Sequence, residues 1–480
     1  MRRALRIFLV AAFVASSGTA AAGVVEPDER PDEQFDFMNL LAHHGLHDND
    51  DELWNFYGQS TEITSFKLPF AAPYTGPASL SPDFEVSWTY TLTLYAGVKL
   101  WPGGEIYFVP EVVAEQPLSN LKGLGGAIQN FELQKGGMTT PQVYRSRLYL
   151  QQAIPLGGER TQLDSNPMQL GEKTDAHRLV FRVGNFSVID FMDKSSVSGD
   201  LRQSFFNMAF MTYAAYDFVA DSRGYSWGLE AELDWDNLSI RFARMAPPLN
   251  PNSQPLTLEL DKFYGDQLEL ELDWKLAKQP GAMRLLGYRN VENMGRFDDA
   301  LAAFQSDPTK SAANCTGYNY GSTSTNAPDL CWVRRSNTKV GVGVNLEQWI
   351  TKNIGVFFRG MISDGRTEVY SFTSTDRSAS LGATIKGELW HRKRDLAGLG
   401  AGVGWISDAH AAYLGAGGVD GFIGDGAIKA APESVFEFFY RFNVYKTLSL
   451  TADYQHITNP AFNADRGPVD IFGVRAHVEF

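Results

Sequence analysis

Phe84-Glu85-Val86-Ser87-Trp88-Thr89-Tyr90-Thr91-Leu92-Thr93-Leu94-Tyr95-Ala96-Gly97-Val98-Lys99-Leu100 carries an apolar side chain at every even position. Its odd positions hold Glu85, Ser87, Thr89, Thr91, Thr93, Tyr95, Gly97 and Lys99. A period of two puts one set on each face of an extended strand. Seventeen residues of it exceed the usual ~5–6 of a globular strand.

The alternation recurs to the end of the chain. Trp227, Leu229, Ala231, Leu233 and Trp235 interleave with Gly228, Glu230, Glu232 and Asp234, and Leu268, Leu270, Leu272 and Trp274 with Glu269, Glu271 and Asp273. Val340 to Leu346, Ala379 to Ile385, Phe436 to Val444 and Phe472 to Phe480 repeat it. About sixteen strands are expected, starting near 53, 84, 105, 143, 178, 225, 238, 266, 281, 338, 354, 378, 397, 434, 448 and 470.

A soluble sandwich also alternates, so loop lengths must decide. Connections alternate between tight turns and long loops. The turns are Pro102-Gly103-Gly104, Asp236-Asn237, Ala277–Pro280, Thr351–Asn353, His391–Leu396 and Lys446-Thr447. The loops are 69–83, 114–142, 190–224, 247–265, 291–337, 364–377, 409–433 and 458–469. Short turns at one end and long loops at the other characterise an outer-membrane barrel. Pro155 to His177 breaks the rule, being long on the short side. Trp101, Trp235, Trp274, Trp349, Trp390 and Tyr445 adjoin short turns, where indole and phenol rings favour a membrane–water interface. An edge strand cannot stand in lipid, so the sheet must close. The expected fold is all-β, a transmembrane antiparallel barrel over 53–480 with short periplasmic turns and long extracellular loops.

Composition agrees. Of 480 residues 44% are hydrophobic and 20% charged, with 45 glycines and 22 prolines, too polar for a helical membrane bundle and too aromatic for a disordered chain. Two cysteines exclude a disulfide scaffold or a multi-cysteine metal centre. A net charge of −14 argues against nucleic acid as a partner. Arg2, Arg3 and Arg6, the apolar run Ile7 to Ala15 and Ala20-Ala21-Ala22 read as a cleaved secretory signal over 1–22. Its loss takes the charge from −14 to −17. Residues 23–52 are expected to form a short periplasmic segment with a small helix.

Several stretches resemble the carbohydrate-selective porins of the OprB type: Trp54 to Thr61, Pro73 to Leu80, Leu100 to Glu111, Arg182 to Phe191, Asp200 to Asn207 and Ala220 to Gly228. The resemblance covers most of the mature chain, most densely 54–300. It implies a sixteen-strand outer-membrane channel of a Gram-negative cell that passes mono- and small oligosaccharides passively, without a cofactor. It also implies that loop 190–224 folds inward to narrow the pore. Relatives often carry Trp after the Phe-Asn of that loop, where this chain has Met208.

With apolar residues toward lipid, the alternate set lines the lumen: Arg145, Arg147, Arg178 and Arg182, then Glu230, Glu232, Asp234, Glu269, Glu271 and Asp273. Guanidinium and carboxylate groups each hold two sugar hydroxyls in bidentate fashion. Opposed charges also set a transverse field that favours polar solutes. Glu111 and Arg182 lead the candidates for the constriction, followed by Asp200, Arg202, Asn207, Asp221 and Arg223 on the loop; Asp221 and Arg223 have the alternative of only pairing to hold it. Each charge also has the plainer reading of a solvated wall residue.

His43, His44 and His47 lie among Asp48, Asp50, Asp51 and Glu52, and read as a solvated helix rather than a metal site. Cys315 and Cys331 are expected to pair in the loop 291–337. Phe297 to Phe304 reads as a short helix there. Lipid, lipopolysaccharide and, through Phe480, the barrel assembly machinery are expected partners, in a monomer or homotrimer. A general porin without sugar preference is the main rival. A barrel enzyme lacks a nucleophile motif around any of the eight histidines, a plugged receptor lacks residues ahead of the first strand, and an adhesin has only the long loops in its favour.

Overall fold

The computed structural model describes residues 37–134, 137–445 and 447–480. The signal sequence, residues 23–36 and Lys446 of the last tight turn lie outside them. Sixteen strands form one closed antiparallel barrel, each bonded to its sequence neighbours. They are β1 (Trp54–Lys67), β2 (Glu85–Trp101), β3 (Gly104–Gln116), β4 (Gln142–Leu163), β5 (Glu172–Phe186), β6 (Ser226–Trp235), β7 (Leu238–Met245) and β8 (Tyr264–Leu276). The second half comprises β9 (Gln279–Met294), β10 (Arg335–Thr351), β11 (Ile354–Ser363), β12 (Arg377–Lys386), β13 (Leu396–Trp405), β14 (Glu433–Tyr445), β15 (Leu448–Thr458) and β16 (Val469–Glu479). Among the described residues four α-helices decorate it: α1 (Phe37–His43), α2 (Met208–Met211), α3 (Phe297–Ser306) and α4 (Asp408–Gly415).

β2 shows why these residues make a barrel wall. Ser87, Thr89, Thr91 and Thr93 point inward and are buried, whereas Val86, Val98 and Leu100 stand exposed outside. A sheet with its apolar face outward is stable only in a hydrocarbon solvent. β-branched threonines keep the extended backbone while hydrogen-bonding inward: Gln59 Nε2 donates to Thr93 Oγ1 at 2.7 Å. β1 and β16 seal the cylinder in register from Gln59↔Glu479 to Lys67↔Ile471. The terminal Phe480 extends the seam, its N–H donating to Gly58 O at 2.9 Å. The turn before β3 depends on Gly103, at φ +72°, where a Cβ would stand 2.2 Å from Ala153 O.

Two features depart from the sequence expectation. The connection expected over Pro155–His177 is mostly strand: β4 runs to Leu163 and β5 begins at Glu172, leaving a turn over 164–171. Bulges at Pro155/Gly157 and Gly157/Arg160 break the alternation that would have revealed the continuation. The turn folds back into the short-turn end of the barrel, where Leu170 N donates to Tyr107 Oη at 3.1 Å and Ser165 Oγ meets Tyr57 Oη at 2.7 Å.

The second departure is an apolar core inside the cylinder. Phe131, Phe186, Met208, Tyr213, Tyr216, Phe218 and Phe372 pack together with the wall residues Tyr107, Tyr149 and Tyr288. Phe205, Phe210, Phe357, Phe439 and Val435 form a second cluster. Inward-folded loops supply most of these rings, which pack against the inner face of the wall.

Candidate functional site: the constriction of the lumen

The long loop between β5 and β6 crosses the barrel. It leaves β5 through a turn closed by a Ser187/Asp190 capping box. Asp190 then receives Arg147 of β4 in a bidentate pair, Nε at 2.7 Å and Nη2 at 2.6 Å. On the far side Asp193 N donates to Glu269 of β8 at 2.7 Å, while Asn345 and Arg359 donate to the Asp193 carboxylate. Glu347 of β10 accepts from Ser196 N at 2.9 Å. Further along, Glu437 of β14 accepts from Phe206 N and Asn207 N at 2.6 and 3.0 Å, and Arg475 of β16 donates to the carbonyls of Leu201 and Ser204. Charged wall groups thus satisfy loop backbone that has no strand partner.

Arg202 ties the loop to β2, β3 and the loop after β3. Its guanidinium reaches Glu132 Oε1 at 2.9 Å, Glu111 Oε2 at 3.1 Å and Tyr95 Oη at 3.0 Å. Glu111 also accepts from Thr93 Oγ1 at 2.6 Å and from Tyr144 Oη. Glu111 is fully buried beneath Arg202, whose side chain keeps 12% exposure. The arginine, not the glutamate, borders the lumen.

Along β5–β10 the inward charges form a continuous ladder. Arg182 pairs with Glu230 at 2.6 Å and Glu232 at 2.8 Å, and Arg241 with Glu232 at 2.8 Å, Glu269 at 3.0 Å and Glu271. Arg284 pairs with Glu271 and, at 3.7 Å, with Glu347. Strand register causes the sequence, because Arg182↔Glu230, Glu232↔Arg241, Arg241↔Glu269 and Glu271↔Arg284 are direct cross-strand partners. Arg178 and Asp234 add a rung at 2.7 Å. Aromatic rings lie against several guanidiniums: Phe191 under Arg182 (4.1 Å), Tyr225 under Arg147 (4.9 Å) and Tyr144 under Arg223 (4.5 Å).

Other expected residues fall elsewhere. Arg145 lies on the outer face with its guanidinium 5.0 Å from the ring of exposed Trp227, so its lumen assignment is corrected. A register shift at Val109/Pro110 opposite Arg147 and Arg145 inserts Ser146 between them and turns Arg145 outward. Asn207 is buried, caps α2 and donates to Gln455 Oε1 at 2.9 Å. Asp200 accepts from Arg202 N and Gln203 N while staying exposed. Asp221 shapes its turn by accepting from Arg223 N and Tyr225 N, and burial pushes its carboxyl up to about 6. Met208 is fully buried.

Sequence reasoning missed Arg241, Arg284 and Glu347, although their inward parity opposite Ile240, Leu285 and Leu346 was legible. It also missed Lys194, exposed on the loop segment that bridges β4 and β10. Glu132, from the loop after β3, carried no local signal.

Outside the pore, Cys315 and Cys331 are joined by a disulfide. His47 pairs with Glu52 at 2.9 Å. His410 of α4 sits fully buried between Asp376 at 3.1 Å and Asp420 at 3.2 Å. Burial works against its charge, yet the two carboxylates raise it to about 9.

A family model described as carbohydrate-selective porin, OprB family, matches residues 79–480. The structure resembles that of Pseudomonas putida OprB at high pH, with a TM-score of 0.62 and 16% identity over 89% of this chain and 94% of that one. The outer-membrane channel DcaP of Acinetobacter baumannii gives 0.48 and 10% over 89% and 97%. A comparison with curated protein sequences returned no match.

Proposed function

Because the chain belongs to the OprB family of carbohydrate-selective porins, and is thus a non-enzymatic outer-membrane channel for carbohydrates, we propose that its sugars are selected along the β5–β10 ladder opposite Arg202. One observation carries this reading: guanidiniums paired to carboxylates on one side and backed by aromatic rings on the other. Their remaining donors suit hydroxyls, and the compensated charge removes the preference for an anionic solute. Tyr95, Tyr144 and Phe191 supply flat faces for the apolar side of a pyranose ring. Monosaccharides and small oligosaccharides fit this chemistry better than a charge-only eyelet does.

Two partners extend the reading. The outer rim offers Arg145 over Trp227 to lipopolysaccharide phosphates at the membrane surface. Phe480, locked into the β1–β16 seam once the barrel closes, is the element that the assembly machinery engages before closure.

Liposome swelling tests the sugar path by comparing mono-, di- and trisaccharides with amino acids of matched size. Faster entry of monosaccharides, lost in Arg182→Ala and Arg202→Ala, is the expected result. Rates ordered by solute size alone in the unaltered protein would leave a general porin.

A further inference from the structure

We propose that the turn between β4 and β5, residues 164–171, is a second constriction of the pore at its short-turn end, where Met168 borders the passing solute. Asn166 and Gln169 close the turn with two backbone hydrogen bonds of 3.0 Å, leaving Pro167 and Met168 at its tip. Met168 adopts φ +66°, a conformation that tight turns normally give to glycine because it crowds a Cβ. Such strain persists where the surroundings hold it, and it gathers at clamps and gates. The Met168 side chain, partly exposed, packs against the lumenal cluster that contains Tyr107, Tyr149 and Phe186, as does Phe191 of the inward loop. The tip of the turn therefore reaches the same aromatic wall as loop 190–224, from the other end of the barrel.

Two sets of contacts hold the turn inside. Glu52, fully buried, accepts from Gly171 N and Ser165 Oγ at 2.7 Å each and lies 2.9 Å from His47 Nε2. Asn55 of β1 donates to the carbonyls of Gln169 and Asn166 at 2.8 and 3.2 Å. Because β2 and β3 stand between β1 and β4 in the wall, these bonds draw the turn across that arc of the mouth instead of letting it extend past the rim. The second set leads into the lumen. Leu170 N donates to Tyr107 Oη at 3.1 Å, Tyr107 Oη to Glu105 at 2.6 Å, Gln151 Nε2 to Glu105 at 3.0 Å, and Arg182 Nε to Gln151 at 2.7 Å. This chain joins the turn to the first guanidinium of the ladder. A solute leaving the ladder toward the short turns meets an uncharged thioether, which filters by size and not by charge. The inference requires an open channel and does not depend on which solutes the ladder selects.

Thiol labelling during conductance recording of the mature barrel in KCl tests it. Cys315 and Cys331 are disulfide-bonded, so Met168→Cys supplies the reactive thiol, and Lys352→Cys, on the exposed turn between β10 and β11, is the control. A sulfonatoethyl methanethiosulfonate applied to both sides is expected to lower the conductance of Met168→Cys by about one third and that of Lys352→Cys by less than about one twentieth. Adding Glu52→Ala to Met168→Cys should free the turn, raise the unlabelled conductance and abolish the block, while the heat-dependent electrophoretic shift of the folded barrel persists. Met168→Cys leaves the Glu52 clasp intact, so its labelling decides the matter even if Glu52→Ala fails to assemble. A thiol at 168 that does not react, an adduct that leaves conductance unchanged, equal block at both sites, or a block that survives Glu52→Ala would each overturn the proposal.

Discussion

Arg202 Nη2 stands 3.1 Å from Glu111 Oε2, joining a loop that starts at β5 to a strand on another part of the wall. The same guanidinium holds Glu132 at 2.9 Å, so one side chain neutralises two buried carboxylates. Arg202→Ala removes the compensating cation from both, leaving Glu111 the hydroxyls of Thr93 and Tyr144 and Glu132 that of Thr91, at a cost of about 3 kcal/mol. The temperature of heat-induced mobility change on electrophoresis should fall. Single-channel conductance should rise as the loop withdraws; an unchanged conductance would show that the loop is held without this contact.

Arg145 and Arg147 are separated by one residue and lie on opposite faces of β4. Arg147→Ala should alter solute flux and loosen Asp190, whereas Arg145→Ala should leave swelling rates unchanged. Equal effects of the two substitutions would contradict the bulge at Ser146.

Beyond its balanced Arg178–Asp234 rung, the ladder holds five carboxylates (Glu230, Glu232, Glu269, Glu271, Glu347) and three guanidiniums (Arg182, Arg241, Arg284). Even with Lys194 added, acid exceeds base by one. Weak cation selectivity is expected from the reversal potential in a KCl gradient at low salt, where screening is least. Glu232→Gln should move that potential toward zero.

His410 locks two extracellular loops together through Asp376 and Asp420. Its ordinary value of 6.5 rises to about 9 in the folded protein. The clasp is therefore fully present below about pH 6.5 and is lost as pH rises through about 9. At ~1.4 kcal/mol per pH unit it is worth about 3 kcal/mol. Protease cleavage within 364–376 or 408–425 should accelerate between pH 8 and 10 (roughly the titration range), and His410→Ala should cleave fast throughout.

The disulfide closes a segment of sequence separation 16, for which loop entropy predicts about 3 kcal/mol of local stabilisation. Reduction should raise proteolysis of 315–331 while leaving conductance intact, because the bridge lies in the long loop between α3 and β10.

The wall was legible because a period of two is local. β2 announces itself residue by residue, and the expected start of nearly every strand lies within a few positions of the observed one. β5 was placed late, since bulges near Gly157 destroy the alternation. Arg145 was misassigned for the same reason at Ser146. The loop's anchors were invisible for another cause. Nothing local distinguishes Glu437, Arg359 and Arg475 from other wall charges, and only closure of the barrel brings them to backbone groups more than a hundred residues away. Glu111 illustrates the limit: its inward parity was correct, but nothing local revealed that Arg202 would cover it.

The inward loop is fastened mainly to β10–β16, by Glu347, Arg359, Glu437, Gln455 and Arg475. The circumference therefore has a division of labour. One arc is a chassis whose charges are spent on scaffolding, and mutation there unseats the loop. The other arc, β5–β9, where we place solute selection, carries side chains that answer mostly to one another. Solute preference has freedom to drift on that arc rung by rung, exchanging one compensated pair for another, while the architecture that narrows the pore stays unchanged.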